Sequence, residues 1–384
     1  MRTFRITPAW VLVAAWAIPF FQLASGVFGD SQRGRISLTA AAICTLALIA
    51  TLFGCFVGKG VDVGPARDLP ARVRSHQVAL VALLGVGVIG AILAVRAWYG
   101  MGIDVFSGAG DTLYQMNVRY SQEGDFIGGA AGRLYASIPI FLFFCLYCLK
   151  RGVLSKRATG LLVMVALVLM ISPRRSMIFT SCIAAAFLHL QGKDIRVGRA
   201  IQLLAGVVVV FAAYFGYTQF KLGKISEFSV AAVFEALSYY LNSSVFVMSE
   251  LLHTAHFEDT WIFLNLPARA INYIFHSNLA VDLSVPFVYV PEPANTVPSY
   301  YYFYKSSGYI GVVVISFLQG FVASYAMRKF AARPTFFWAV VSSMMLTTLV
   351  LSVRENVLFS YDFAWWVAIA AGMSIILTKR FRFK

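Results

Sequence analysis

The sequence predicts an all-α polytopic membrane protein of about ten transmembrane helices. Three observations carry that prediction. Of 384 residues, 59% are hydrophobic and only 13% charged, with a mean hydropathy of +0.75; an average soluble domain carries roughly 25% charge. The apolar residues fall in blocks of roughly 15 to 23, the length that crosses about 30 Å of hydrocarbon. Backbone in lipid must satisfy its own hydrogen bonds, so such blocks become helices, and the alternating short segments of a β-barrel are not seen.

The expected spans are Pro8–Phe28, Ile36–Gly58, Gln77–Trp98, Leu134–Leu149, Thr159–Ser172, Ser176–Leu190, Ala200–Phe220, Gly308–Met327, Pro334–Val353 and Asp362–Leu377. The first follows Arg2 and Arg5 and exceeds a signal-peptide core, so it is expected to be retained. These spans divide the chain into a seven-span region (residues 1–220), a large loop (221–307) and a three-span region (308–384). Together they form one integrated membrane domain.

Orientation follows from the basic residues. With the N-terminus in the cytoplasm, the inner segments hold Lys59, Arg67, Arg72 and Arg74, then Lys150, Arg151, Lys156 and Arg157. They also hold Lys193, Arg196 and Arg199, then Arg328, Lys329 and Arg333, and the tail from Lys379 to Lys384. With Arg2 and Arg5, roughly 20 of the 32 basic residues lie inside, beside only Asp62, Asp68 and Asp194. The outer segments hold roughly 12 basic and 14 acidic residues. The net charge of +15 is therefore a topology signal and does not call for nucleic acid. His76 and His189 fall on the inner side.

Two outer segments exceed simple connectors: Tyr99–Arg133, and Lys221–Ser307 of about 87 residues. The second contains an amphipathic stretch, Val230–Phe257, with Val233, Phe234, Leu237, Leu241 and Phe246 on one side. Short amphipathic helices on the membrane surface, forming a lid, are expected there; the alternative is a passive cap. The five cysteines all lie in apolar blocks, which points to buried thiols. Cys145-x-x-Cys148 reads as packing. Gly85-Val86-Gly87-Val88-Ile89-Gly90 matches a dinucleotide fingerprint, but it sits inside a span with no preceding strand. Small residues there suit close helix packing.

The outer arginines are the informative charges. Ser172-Pro173-Arg174-Arg175-Ser176 joins two short apolar stretches at the outer membrane surface. Arginine at that depth is costly unless it meets a partner or a wet cavity. A guanidinium grips phosphate oxygens in pairs and stays charged; the alternative is snorkelling to headgroups. Arg354-Glu355-Asn356 follows the ninth span on the same side, as a charged pair that suits an anion and a hydroxyl, or as a local salt bridge. Arg269 lies in the large loop, with His253 and His256 at i, i+3 and Glu250 one turn earlier. That spacing suits either a metal ligand pair or a general base. No third and fourth ligand accompanies it, and no P-loop, G-x-S-x-G, H-E-x-x-H or D-x-D occurs.

Asn295-Thr296-Val297-Pro298-Ser299-Tyr300-Tyr301-Tyr302, then Gly308-Tyr309-Ile310-Gly311 and Phe317-Leu318-Gln319-Gly320, resemble the Wzy-type oligosaccharide repeat-unit polymerases. Arg174 or Arg175 opening a span, Arg354 just outside a later one, and the large late loop extend the resemblance over most of the chain. Ser306 and Ser307 stand where members often carry an acid before the Gly-x-x-Gly. The resemblance implies a GT-C-type glycosyltransferase of a bacterial inner membrane, with its active site at the periplasmic face and no metal or other cofactor. It implies two undecaprenyl-diphosphate-linked oligosaccharides as substrates, in membrane lipid, and admits a Wzz-type chain-length regulator as a partner. Arg174, Arg175, Arg269 and Arg354 would hold the departing diphosphate. His253, His256, Glu250 and Glu355 stand equal as candidate bases. Asn295, Tyr300, Tyr301 and Tyr302 would contact sugar, the tyrosines by stacking, with interfacial anchoring as the alternative. The rival functions are an O-antigen ligase acting on lipid A core and a flippase for a lipid-linked glycan. A flippase should carry charged residues deep in several spans; here the unusual charges gather at the outer ends.

With both ends cytoplasmic, a fluorescent protein fused after Lys384 is expected to be bright and an alkaline phosphatase fused there inactive. The opposite pair of readings would reverse every side assignment above.

Overall fold

A computed structural model describes residues 3–25, 36–65, 73–100, 129–170, 175–193, 195–196, 229, 242–253, 271, 275, 285, 288–289 and 293–378. The described chain is built almost entirely from helices. They are α1 (Pro8–Ser25), α2 (Leu38–Gly60), α3 (Val73–Gly100), α4 (Gly129–Tyr135), α5 (Ile138–Lys150), α6 (Lys156–Leu169) and α7 (Arg175–Leu190). A helical stretch at 242–253 follows, and then α8 (Ser299–Ala332), α9 (Phe336–Leu351) and α10 (Tyr361–Thr378). Two minimal ribbons pair Thr3–Phe4 with Ile195–Arg196 and Val288–Tyr289 with Pro293–Ala294, both antiparallel.

Among the described residues, five helical stretches are long and apolar enough to cross a membrane: Leu38–Gly60, Val73–Gly100, Ala131–Lys150, Ser299–Ala332 and Tyr361–Thr378. The chain is a membrane protein on that ground. Pro8–Ala17, Met177–Leu190 and Phe336–Leu351 are shorter apolar helices. The expected span Ala200–Phe220 lies outside the described residues, as do most of the loops 99–133 and 221–307.

The helices pack as two compact units. The first comprises Met1–Val63, Gly192–Arg328 and Met345–Phe363; the second comprises Gly64–Gln191, Lys329–Met344 and Ala364–Lys384.

In the first unit, α2 and α8 meet backbone to backbone. A Cβ on Gly54 would lie 2.0 Å from the Phe317 carbonyl oxygen, and one on Gly320 would lie 2.0 Å from that of Thr51. One turn on, a Cβ on Gly58 would lie 2.5 Å from the Phe321 carbonyl oxygen. Apolar chains gain little by leaving lipid for another apolar surface, so close van der Waals approach between small residues is what joins such helices. Arg328 closes the end of this crossing by donating to the carbonyls of Lys59 and Val61 at the α2 C-terminus. Inside, the Gln319 amide donates to Thr348 Oγ1 at 3.1 Å.

Gly308 stands where the sequence suggested a span would open, at a kink between two helices that run on from one another. Ser307 (φ −157°) and Gly308 (φ +60°, ψ −150°) are non-helical and separate the two parts of α8, and the part before them, from Ser299, is helix that the sequence did not suggest. Glycine is needed at that positive φ. Gly311 then permits the tight join, since a Cβ there would sit 2.4 Å from the Phe303 carbonyl oxygen.

The expectation of one-sided amphipathic helices also needs correction at 242–253. Residues 242–249 are buried on every face, including Asn242, Ser243, Ser244 and Ser249; Glu250 and His253 are exposed. Their hydroxyls bond inward, Ser249 Oγ to Val245 O and Ser244 Oγ to Val353 O. A serine that finds a carbonyl loses its polar cost, so these positions count as core.

The second unit is organised around α5, whose residues from Ile138 to Cys145 are all buried. Pro139 near its start has no N–H, and the chain breaks between α4 and α5. The break frees the Ala136 carbonyl, which accepts from the Trp366 indole at 2.6 Å, while Trp365 donates to Ser137 Oγ at 3.1 Å. Trp366 also meets Phe143 edge to face at 5.7 Å. Of the glycines in the third span, Gly90 packs against the backbone of Leu134 and Tyr135, and Gly85 faces open space. Among the cysteines, all five are free and four are buried; Cys182 is exposed, contrary to expectation, because it lies on the outward side of α7.

Replacing Gly320 with alanine forces its Cβ against a main-chain carbonyl that cannot turn away. Overpacking of this kind costs about 1–3 kcal/mol or more. The expected result is a lower thermal midpoint in detergent than wild type, with Gly372→Ala, which faces open space, left near wild type. Equal midpoints for the two variants would refute the close crossing.

Candidate functional site

The loop between α9 and α10, residues 352–360, carries the Arg354–Glu355–Asn356 triplet, and the first unit holds it at several points. The Ser299 backbone N–H donates to the Ser352 carbonyl at 3.0 Å, and Ser299 Oγ donates to the Glu355 carbonyl at 2.7 Å. The N-terminus of α8 is thereby stitched to both ends of the Ser352–Glu355 turn. Ser244 Oγ bonds Val353 O at 2.8 Å. The Arg354 and Glu355 amides fold back onto Leu351 O at 2.9 and 2.8 Å, completing the α9 C-terminus. Ser360 Oγ accepts from Phe363 N at 3.2 Å and caps α10.

Beneath this turn lies an aromatic and hydroxyl core. Trp16 stacks on Tyr300 with ring centroids 5.4 Å apart and planes 12° from parallel. Trp16 Nε1 donates to Ser352 Oγ at 3.1 Å, and Ser352 Oγ donates to Leu349 O at 2.8 Å. The Tyr300 hydroxyl lies 3.5 Å from the same Ser352 oxygen. Phe303 meets Phe359 edge to face at 6.3 Å. Three elements distant in sequence thus meet at one serine.

The electrostatics of the triplet follow from this enclosure. Arg354, Glu355 and Asn356 are each half-buried. Burial pushes the Glu355 carboxyl above the usual carboxylate range, and the neighbouring Arg354 guanidinium pulls partway back. The Asn356 Oδ1 is enclosed with no hydrogen-bond donor among the described residues. A group left unsatisfied in a native core calls for an explanation; here it is an acceptor beside a cation and a raised carboxyl.

The structure sorts the other sequence candidates. Tyr300 is fully buried with one face on Trp16, and Tyr301 is buried beside Tyr302, so the stacking expected of these rings on sugar is corrected for Tyr300 and Tyr301. Tyr302 is half-buried and Asn295 exposed. Glu250 and His253 are exposed on the helical stretch 242–253. Arg175 is the first residue of α7, in the second unit. Arg174, His256 and Arg269 lie outside the described residues. No cluster of three His, Cys, Asp or Glu side chains occurs among the described residues. Trp16, Ser244, Ser299 and Ser352 were not legible as site residues, because a tryptophan or serine inside an apolar block gives no positional signal of its own.

Because the folded protein raises the Glu355 pKa, ionising it costs stability. The cost is absent below the ordinary glutamate pKa, grows as pH rises through the folded value, and is then constant. Glu355→Gln removes it. The thermal midpoint of Glu355→Gln minus that of wild type is expected to rise with pH from about 4 and level off. A pH-independent difference would show that the carboxyl is not perturbed.

Compared with known proteins, the chain matches no family model, no curated protein and no solved structure, so what the site does is read from its own chemistry.

Proposed function

We propose that the chain is a polysaccharide repeat-unit polymerase, in a bacterial inner membrane with ten spans, both termini cytoplasmic and the 221–307 loop periplasmic. It transfers a growing glycan from undecaprenyl diphosphate to a sugar hydroxyl on the next lipid-linked repeat. The observation that carries this reading is the Arg354–Glu355 pair on an anchored turn, with the Glu355 carboxyl raised by burial. In the reaction the anomeric C–O bond to diphosphate breaks and a bond from the acceptor oxygen forms. The acceptor proton passes to a carboxylate, for which Glu355 is suited. A base works best when its pKa approaches the working pH, and burial moves Glu355 in that direction.

The diphosphate leaves with the bonding electrons and gains negative charge. Arg354 is a fixed, permanently charged donor for that charge, and one such group in a partly dry site contributes a large share of catalysis. Its neighbour's enclosed Asn356 oxygen suits a sugar hydroxyl. The exposed Glu250 and His253 are less favoured as bases, since an exposed side chain has no enclosure to hold it against a substrate.

Purified protein incubated with synthetic undecaprenyl-diphosphate-linked repeats is expected to give a ladder of glycans. Arg354→Ala should reduce elongation about 10²–10³-fold, and Glu355→Gln about 10²–10⁴-fold. Product only after adding lipid A core would indicate a ligase. No product in either mixture, with transbilayer movement of the lipid in vesicles, would indicate a flippase. Wild-type chain growth in both variants would remove the pair from the chemistry. Arg175→Ala, run on the same gel, tests that arginine separately.

A further inference from the structure

A second polar site lies in the other unit, at the ends of α3, α5 and α10. His76, Tyr147, Arg151, Thr335, Ser374 and Thr378 line a cavity there, with Phe336 and Leu377 as its apolar wall. His76 is buried, its ring stacked at 6.0 Å on both Phe144 and Tyr147. Tyr147 donates its hydroxyl to Pro334 O at 2.9 Å, which fixes the α8–α9 turn against α5.

The lining offers donors and no carboxylate. Ser374 Oγ already accepts from Phe337 N at 2.7 Å, and Thr335 Oγ1 accepts from Trp338 N at 3.4 Å. Each hydroxyl therefore has its proton left to give. Arg151 is half-buried, and its Nε is enclosed without an acceptor among the described residues. A buried donor without an acceptor is costly, so the enclosed Nε of Arg151, on the cavity lining, suits an anion.

The anion's class follows from chemistry and depth. Guanidinium and hydroxyl groups together match tetrahedral phosphate oxygens. The cavity lies where three apolar helices end: α3 starts at Val73, α5 stops at Lys150 and α10 at Thr378. Arg151 lines it, and the basic Lys150 and Arg333 neighbour lining residues in sequence. Helix ends are where lipid headgroups lie, and basic pockets between such ends bind them.

We propose that this cavity binds the phosphate group of an anionic phospholipid, a site independent of the Arg354–Glu355 turn. The apolar wall of Phe336 and Leu377 receives the upper acyl chain while Arg151 and the hydroxyls of Thr335 and Ser374 hold the phosphate.

The test is native mass spectrometry of the full chain in detergent with phosphatidylglycerol or phosphatidylcholine, with inorganic phosphate as competitor. Wild type is expected to retain phosphatidylglycerol over phosphatidylcholine and to keep it in millimolar inorganic phosphate. Arg151→Gln should weaken retention about tenfold, the loss of one charge-assisted contact. Arg151→Lys, which keeps the charge and the fold, should fall between. Equal retention of the two lipids, or wild-type retention in both variants, would overturn the proposal. Displacement by inorganic phosphate would assign the cavity to a soluble phosphate and overturn the lipid.

Discussion

Backbone polar groups in an apolar medium have no water to turn to, and most of this structure follows from that constraint. At three places where a helix ends or breaks, a donor arrives from elsewhere. The Ala136 carbonyl, freed by the break ahead of Pro139, takes the Trp366 indole. The carbonyls of Ser352, Val353 and Glu355, beyond the end of α9, take Ser299 and Ser244. The α2 terminus takes Arg328. Side chains of serine, tryptophan and arginine, scattered through apolar sequence, are therefore placed by the helix ends they satisfy.

The same constraint shapes the candidate site. The turn that carries Arg354, Glu355 and Asn356 is held through the main-chain carbonyls of Ser352, Val353 and Glu355. Their surroundings are dry enough to raise a carboxyl, yet a cation stays adjacent. A site built this way is positioned by its backbone.

The helices were readable because the signal is coarse. A block of apolar residues long enough to cross lipid has one backbone solution, so every expected span within the described residues is helical. Details finer than a block were not. The break at Ser307–Gly308 depends on one backbone angle, and the helical turn before it, Ser299–Ser306, reads as loop because tyrosine and lysine dilute its hydropathy. Stretch 242–253 looked one-sided because serine scores as polar, whereas a serine bonded to a carbonyl packs as core. Arg354 and Glu355 were visible because charge is rare in this chain. Trp16 and Ser352 were invisible because their role lies in a meeting of distant segments that no local pattern records.

The crossing of α2 and α8 carries an evolutionary corollary. At Gly54 and Gly320 the obstacle to a larger residue is the opposing main chain, at Phe317 and Thr51. A side-chain clash can be relieved by trimming the neighbour; a clash with a carbonyl leaves nothing to trim. Relief there requires the two helices to move apart, so a larger residue at either position acts on the crossing itself. In a chain whose hydrophobic residues are largely interchangeable, that spacing is the mark by which distant descendants would still be known.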